Sequence, residues 1–121
     1  MKSKSEIYEM GMLMDFYGTL LTDNTLEVME MYYSNDMTLA EIAESLNMSR
    51  QGAHSFITKG KQQLLDYERK LGMFKRFREL RDQLEDVQTG IASIDRTALP
   101  GYEAEMLDRM YDTVTDMISK L

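Results

Sequence analysis

The chain has 121 residues, a formal charge of -7, 43% hydrophobic and 29% charged residues, and no cysteine. That length and balance fit one ordinary globular unit, alone or with a helical extension, and exclude a disordered tail. Without cysteine there are no disulfides, no thiol nucleophile and no thiolate metal site, which suits a reducing compartment such as the cytoplasm. The N-terminal run MKSKSEIYEMGMLMDF has no continuous apolar stretch of signal-peptide length, and no segment is apolar enough to span a bilayer, so no membrane insertion is expected.

With one proline, seven glycines and no Asn-Gly or Asp-Gly hairpin signal, and with apolar residues recurring at three and four, the chain reads as all-α. The twelve methionines are flexible enough to fill gaps between helices or to line an adaptable surface. Core filling is the expected role.

In chain order, residues 5–21 put Ile7, Met10, Leu13, Met14, Tyr17, Leu20 and Leu21 on one stripe, the first helix. TDNT supplies capping side chains for a short second helix through Leu26, Met29 and Tyr33, which the polar SND stops. Thr38 followed by Glu41 makes a capping box for a third helix through Leu39, Ile42, Ala43 and Leu46, ending at Asn47, which tolerates a left-handed turn. Ser49 caps a fourth helix whose inward face is Ala53, Phe56, Ile57, Gly60, Leu64, Tyr67 and Leu71, with Gly72 as its stop.

From Met73 the series Phe74, Phe77, Leu80, Leu84, Val87 and Ile91 has heptad-like spacing. TGIASIDRTALPG, residues 89–101, reads as a loop before a last amphipathic helix through Met106, Leu107, Met110, Val114, Met117, Ile118 and Leu121. The expected division is a helix-turn-helix domain over residues 1–72 and a helical extension over 73–121 that packs on it or forms a dimer surface. A homodimer is expected, because the heptad-like stripe from Phe77 to Ile91 and the Met-rich last helix expose more apolar edge than a small three-helix head can cover, and because helix-turn-helix readers commonly use two-fold symmetry.

The stretch TLAEIAESLNMSRQGAHSFITKG, residues 38–60, has what a helix-turn-helix needs: the small Ala43 where the helices approach and apolar Ile42, Leu46, Met48, Ala53 and Phe56 at core positions. Ser49, Arg50, Gln51, His54, Ser55, Thr58, Lys59 and Lys61 remain for an outer face that contacts nucleic acid. Arg and Gln can pair with guanine and adenine edges, while Ser, Thr and Lys hold phosphate oxygens. A merely solvated helix face would display the same residues.

Charge is unevenly spread. Residues 49–81 hold nine Lys or Arg against three acids, and the rest of the chain holds five against eighteen. The basic stretch suits DNA, whereas the acidic remainder repels phosphate. Catalysis lacks its parts: His54 is the single histidine, and there is no ligand cluster and no glycine-rich phosphate loop, so no enzyme, metal or cofactor is expected.

Residues 14–73 resemble the YlxM family of small bacterial helix-turn-helix proteins, most closely in DFYGTLLT, YYSNDMTLAEIAE, MSRQ and LLDYERKL. The segment is more distantly similar to region 4 of sigma factors, which docks on promoter DNA and RNA polymerase. TDNTLEV, and Gly52 and His54 within SRQGAHSFI, depart from the family's usual residues. The resemblance implies a bacterial cytoplasmic protein associated with the signal recognition particle pathway. Two readings follow: a DNA-binding regulator, or an adaptor that binds signal recognition particle or transcription components.

Overall fold

The structure, a computed structural model, describes residues 2–121, and among them there are six α-helices and no strand. They are α1 (Lys4–Tyr17), α2 (Asp23–Tyr33), α3 (Leu39–Ser45), α4 (Arg50–Leu71), α5 (Met73–Ala92) and α6 (Gly101–Ser119), with a 3₁₀ turn at Gly18–Leu20. The chain divides into two compact units, the first running through Phe74 and the second from Lys75 to Leu121.

Local chemistry sets the helix ends of the first unit. Ser3, Thr22, Thr38 and Ser49 each turn a hydroxyl back to accept an orphan N–H of the first turn of α1, α2, α3 and α4 respectively. At Thr38 the box is reciprocal: Oγ1 accepts from Glu41 N at 3.1 Å, and Glu41 Oε1 accepts from Thr38 N at 3.0 Å. Asn47 adopts φ 54°, and Gly72 closes α4 at φ 63° with its N–H on the Glu68 carbonyl.

The hydrophobic core of this unit lies where α4 packs on α1, α2 and α3. Met10, Leu13, Tyr17, Val28, Met29, Ile42, Ala53 and Leu64 are buried there. Gly60 lets α4 and α2 approach closely, since a Cβ at that position would stand 2.7 Å from the Met29 sulfur. Phe74 closes the unit, 6.1 Å from the Tyr8 ring and 6.3 Å from the Phe16 ring. The buried Tyr17 hydroxyl donates to Glu68 Oε1 at 2.6 Å and accepts from Met73 N, while the same Glu68 oxygen accepts from Phe74 N. Burial, and next the Glu68 carboxylate, raise the Tyr17 pKa, so the hydroxyl stays protonated as the donor this junction needs.

Several expectations need correction. The stripe over 5–21 is not one helix: the 3₁₀ turn changes the angular step after Tyr17 and leaves Leu20 half in solvent, although Leu21 is buried. Leu71 is exposed rather than inward, because α4, roughly 33 Å long at 1.5 Å per residue, outruns its shorter neighbours. The expected loop over 89–101 is shorter, since Thr89–Ala92 complete α5 and Gly101 begins α6. Gly90 lies on an open side of α5, where an added Cβ would meet nothing within 4 Å.

In the second unit α5 and α6 run antiparallel. Gln88 Nε2 of α5 donates to Thr115 Oγ1 of α6 at 2.9 Å, and Arg96, just past the end of α5, pairs with Asp108 of α6 at 2.8 Å, so rising numbers on one arm of the hairpin meet falling numbers on the other. Only Ile91 and Val114 of this hairpin are buried. The methionines divide accordingly. Met10, Met14 and Met29 fill the first core as expected, whereas Met106, Met110 and Met117 of α6 stand exposed, because a two-helix hairpin has no third layer to cover them.

The capping box yields a pH-dependent expectation. The backbone N–H of Thr38, and next its hydroxyl, hold the Glu41 carboxyl below its ordinary value of 4.5. A depressed folded value means that the carboxylate stabilises α3 fully above that ordinary value and ceases to do so as pH falls through the folded one. Thermal unfolding of wild type and Glu41→Ala is expected to show a gap in midpoint at neutral pH that narrows as pH falls below the ordinary carboxylate value. A gap independent of pH would show that the box contributes through packing alone.

Candidate nucleic-acid interface

Helix α4 is oriented by three features of its own sequence. Asn47 makes the left-handed turn that brings Met48 N onto the Ala43 carbonyl at 2.9 Å, Ser49 starts the helix, and Ala53 packs fully buried. Of the expected core positions, Ile42 and Ala53 are buried, while Leu46, Met48 and Phe56 are half-buried and edge a recess with Asn24, Glu27 and Val28. The pair α3–turn–α4 is a helix-turn-helix.

At about 100° per residue, buried Ala53, Ile57, Gly60 and Leu64 fix the inward side of α4. Ser55 and Gln51 then point outward, Thr58 and Lys59 flank them about 50° to either side, His54 lies at about a right angle, and Arg50, at the start of the helix, lies nearer the inward direction than the outward one. All six are exposed. Among the described residues none of their side chains has a hydrogen-bond or ion-pair partner. Arg50, Gln51 and His54, with Leu39 of α3, line an open recess of about 360 Å³ at the start of the motif.

Two of the eight expected contact residues have structural duties as well. Ser49 is exposed, but its hydroxyl accepts from Gly52 N at 2.9 Å as the cap. Lys61 is half-buried and stands apart from the outer face, its ammonium 3.6 Å from Glu6. Glu6 also accepts from the Tyr33 hydroxyl at 3.0 Å. Burial, reinforced by Glu6, drives the Tyr33 pKa far up, so that this hydroxyl remains a donor. Lys61 therefore braces α1 against α4.

Acids border the outer face. Glu41 and Glu44 are exposed on α3, and Asp66 accepts from Gln62 at 3.1 Å and from Arg69 at 3.0 Å further along α4. A phosphate backbone laid along the motif would meet the basic and amide side chains of the first three turns of α4 and be repelled beyond them. Two residues outside the expected set belong to this surface. Gln62 continues the outward row, which its helical spacing from Ser55 and Thr58 signals. Lys2 sits 3.9 Å from the Tyr32 ring centre and 3.4 Å from Asp36, and it helps line the recess that runs from Asp36 to Arg50. Nothing in the sequence marks that contact, which joins two distant segments.

Among the described residues, no group of three or more His, Asp or Glu side chains is placed to hold a metal ion, and no helix is long and apolar enough to cross a membrane.

The family UPF0122, described as "Putative helix-turn-helix protein, YlxM / p13 like", matches residues 4–98. A UPF0122 protein of Acetivibrio thermocellus is 35% identical over 113 residues, 93% of this chain and 97% of the relative. One from Thermoanaerobacter sp. is 45% identical over 85 residues, 70% of this chain and 73% of its own length. Another, from Clostridium perfringens, is 45% identical over 69 residues, 57% and 62% of the two chains. With the motif geometry and these matches in agreement, the chain belongs to the UPF0122 family of YlxM / p13-like helix-turn-helix proteins.

Proposed function

We propose that this chain is a non-catalytic, DNA-binding regulatory protein that lays the first three turns of α4 into the major groove. One observation carries the reading. Arg50, Gln51, His54, Ser55, Thr58 and Lys59 form a continuous exposed face whose side chains are not engaged within the fold, on a helix held rigid by its cap, its turn and its buried alanine. Arg50 and Gln51, at the N-terminal end where base edges come closest, read sequence. Ser55, Thr58 and Lys59 hold phosphates. The cytoplasm as compartment and the signal recognition particle pathway as setting are part of the proposal, both resting on the likeness to YlxM proteins. The rival reading, an adaptor for secretion or transcription components, draws on exposed Glu41 and Glu44 beside the motif, which disfavour phosphate.

Two substitutions divide the roles. Arg50→Ala is expected to weaken binding to the preferred site by about 1–3 kcal/mol and binding to random duplex only slightly. Lys59→Ala is expected to weaken both and to lower the slope of log affinity against log salt by about one unit. Fluorescence anisotropy at several salt concentrations measures both quantities. Equal losses from the two variants on every duplex would remove the base-reading role from Arg50.

A further inference from the structure

The α5–α6 hairpin covers half of its own heptad seam. Leu84 and Ile91 of α5, and Leu107 and Val114 of α6, each seven residues apart, are buried or half-buried between the two helices. The alternate rows are open: Leu80, Val87 and Ile94 on one side and Met110 and Met117 on the other, with Val87 50% and Met110 44% exposed. In a closed coiled coil both rows are covered. Here the open rows flank an apolar groove of about 360 Å³ that Val87, Ile91, Met106, Met110 and Val114 line, with Arg109 at its rim.

We propose that this groove is filled by the same hairpin of a second copy, which completes an antiparallel four-helix layer. Charge points to a second copy in particular. The leading stretch of α5 carries Lys75, Arg76, Arg78 and Arg81 against one acid, while α6 carries Glu103, Glu105, Asp108, Asp112 and Asp116 against one base. The register given by Gln88–Thr115 and Arg96–Asp108 runs α6 beside the last two turns of α5 and residues 93–100 that follow it, so that α6 ends level with about residue 84. Within one copy the basic start of α5, residues 75–81, therefore has no part of α6 alongside it. A dyad sets the acidic α6 of each copy alongside the basic start of the other copy's α5, and sets each open apolar row against an identical partner hairpin, the self-complementarity that an isologous interface requires. Methionine rows suit the contact, since they adapt to one another as they pack.

Sedimentation of the full chain tests this, independently of any DNA contact. The expected species has twice the 14.1 kDa chain mass at micromolar concentration. Val87→Glu combined with Met110→Glu is expected to raise the dissociation constant by roughly 100-fold or more. Both positions are exposed in the single chain, so circular dichroism is expected to show unchanged helix content. Because the chain lacks cysteine, Val87→Cys and Met110→Cys offer a second readout, and a bismaleimide is expected to link copies through them. A wild-type monomer up to 100-fold higher concentration, a dimer that survives the paired Glu substitutions, or a monomer that instead holds a different polypeptide in this groove would each overturn the proposal.

Discussion

Replacing Ile42 with alanine is expected to lower the unfolding free energy by about 2–5 kcal/mol. Ile42 is fully buried on the side of α3 that packs against α2 and α4. The loss has two parts, the transfer of three methyl or methylene groups and the cavity left where helices pinned by caps at both ends cannot close in. Against a total stability of about 5–15 kcal/mol, this is the substitution most able to unfold the motif without touching its outer face. Urea unfolding measures it, with an unchanged slope and a lower midpoint. Leu20→Ala provides the contrast: its side chain is about half exposed, and the expected change is within about 0.5 kcal/mol. Similar losses at the two positions would mean that the helix-turn-helix core is not where Ile42 packs.

Gly60→Val is expected to destabilise by about 1–3 kcal/mol although it replaces a glycine inside a helix. A Cβ at Gly60 would stand 2.7 Å from Met29 Sδ, 2.8 Å from Met29 Cγ and 3.1 Å from Thr25 Cγ2. Neither neighbour can step aside into solvent: Met29 is fully buried, and buried Thr25 accepts a hydrogen bond from the Thr22 hydroxyl at 2.8 Å. The overpacking strain outweighs the gain in helix propensity, which is below about 1 kcal/mol because valine is a weaker helix former than alanine. Gly11→Ala isolates the propensity term, since a Cβ there meets nothing within 4 Å, and it is expected to stabilise by up to about 1 kcal/mol. If both glycine substitutions stabilised the protein, the close crossing of α2 and α4 would be wrong.

The features that could be read from the residues were those decided within one turn of chain. Thr38 and Glu41, Asn47, Ser49 and Gly72 act through hydrogen bonds or backbone angles that their own neighbours supply, and the structure has each where its chemistry calls for it. The inward rows of α1 and α4 follow equally from helical period. What the residues did not disclose depends on other elements. Leu71 fits the inward row by spacing but lies where α4 has outrun its neighbours. Lys61 looks like one more base on the outer face until Glu6, fifty-five positions earlier, is brought within 3.6 Å. Thr89–Ala92 look like loop because glycine is rare in helices, yet a solvent-facing Gly90 costs α5 only about 1 kcal/mol. The outer face was legible as a set of residue types on the side opposite the inward row, while the partners that give Ser49 and Lys61 structural duties were not.

The proposed contact of the α4 face with DNA has to form despite the chain's charge of -7. Titration of the wild-type protein against a randomised duplex pool at roughly 50 and 200 mM salt addresses it most directly. The expected result is measurable binding at the lower salt, weakening steeply at the higher as released counterions oppose it, with recovery of an enriched sequence from the bound fraction. No binding above background at the lower salt, where electrostatic attraction is greatest, would contradict the account and leave α4 as a surface for protein partners.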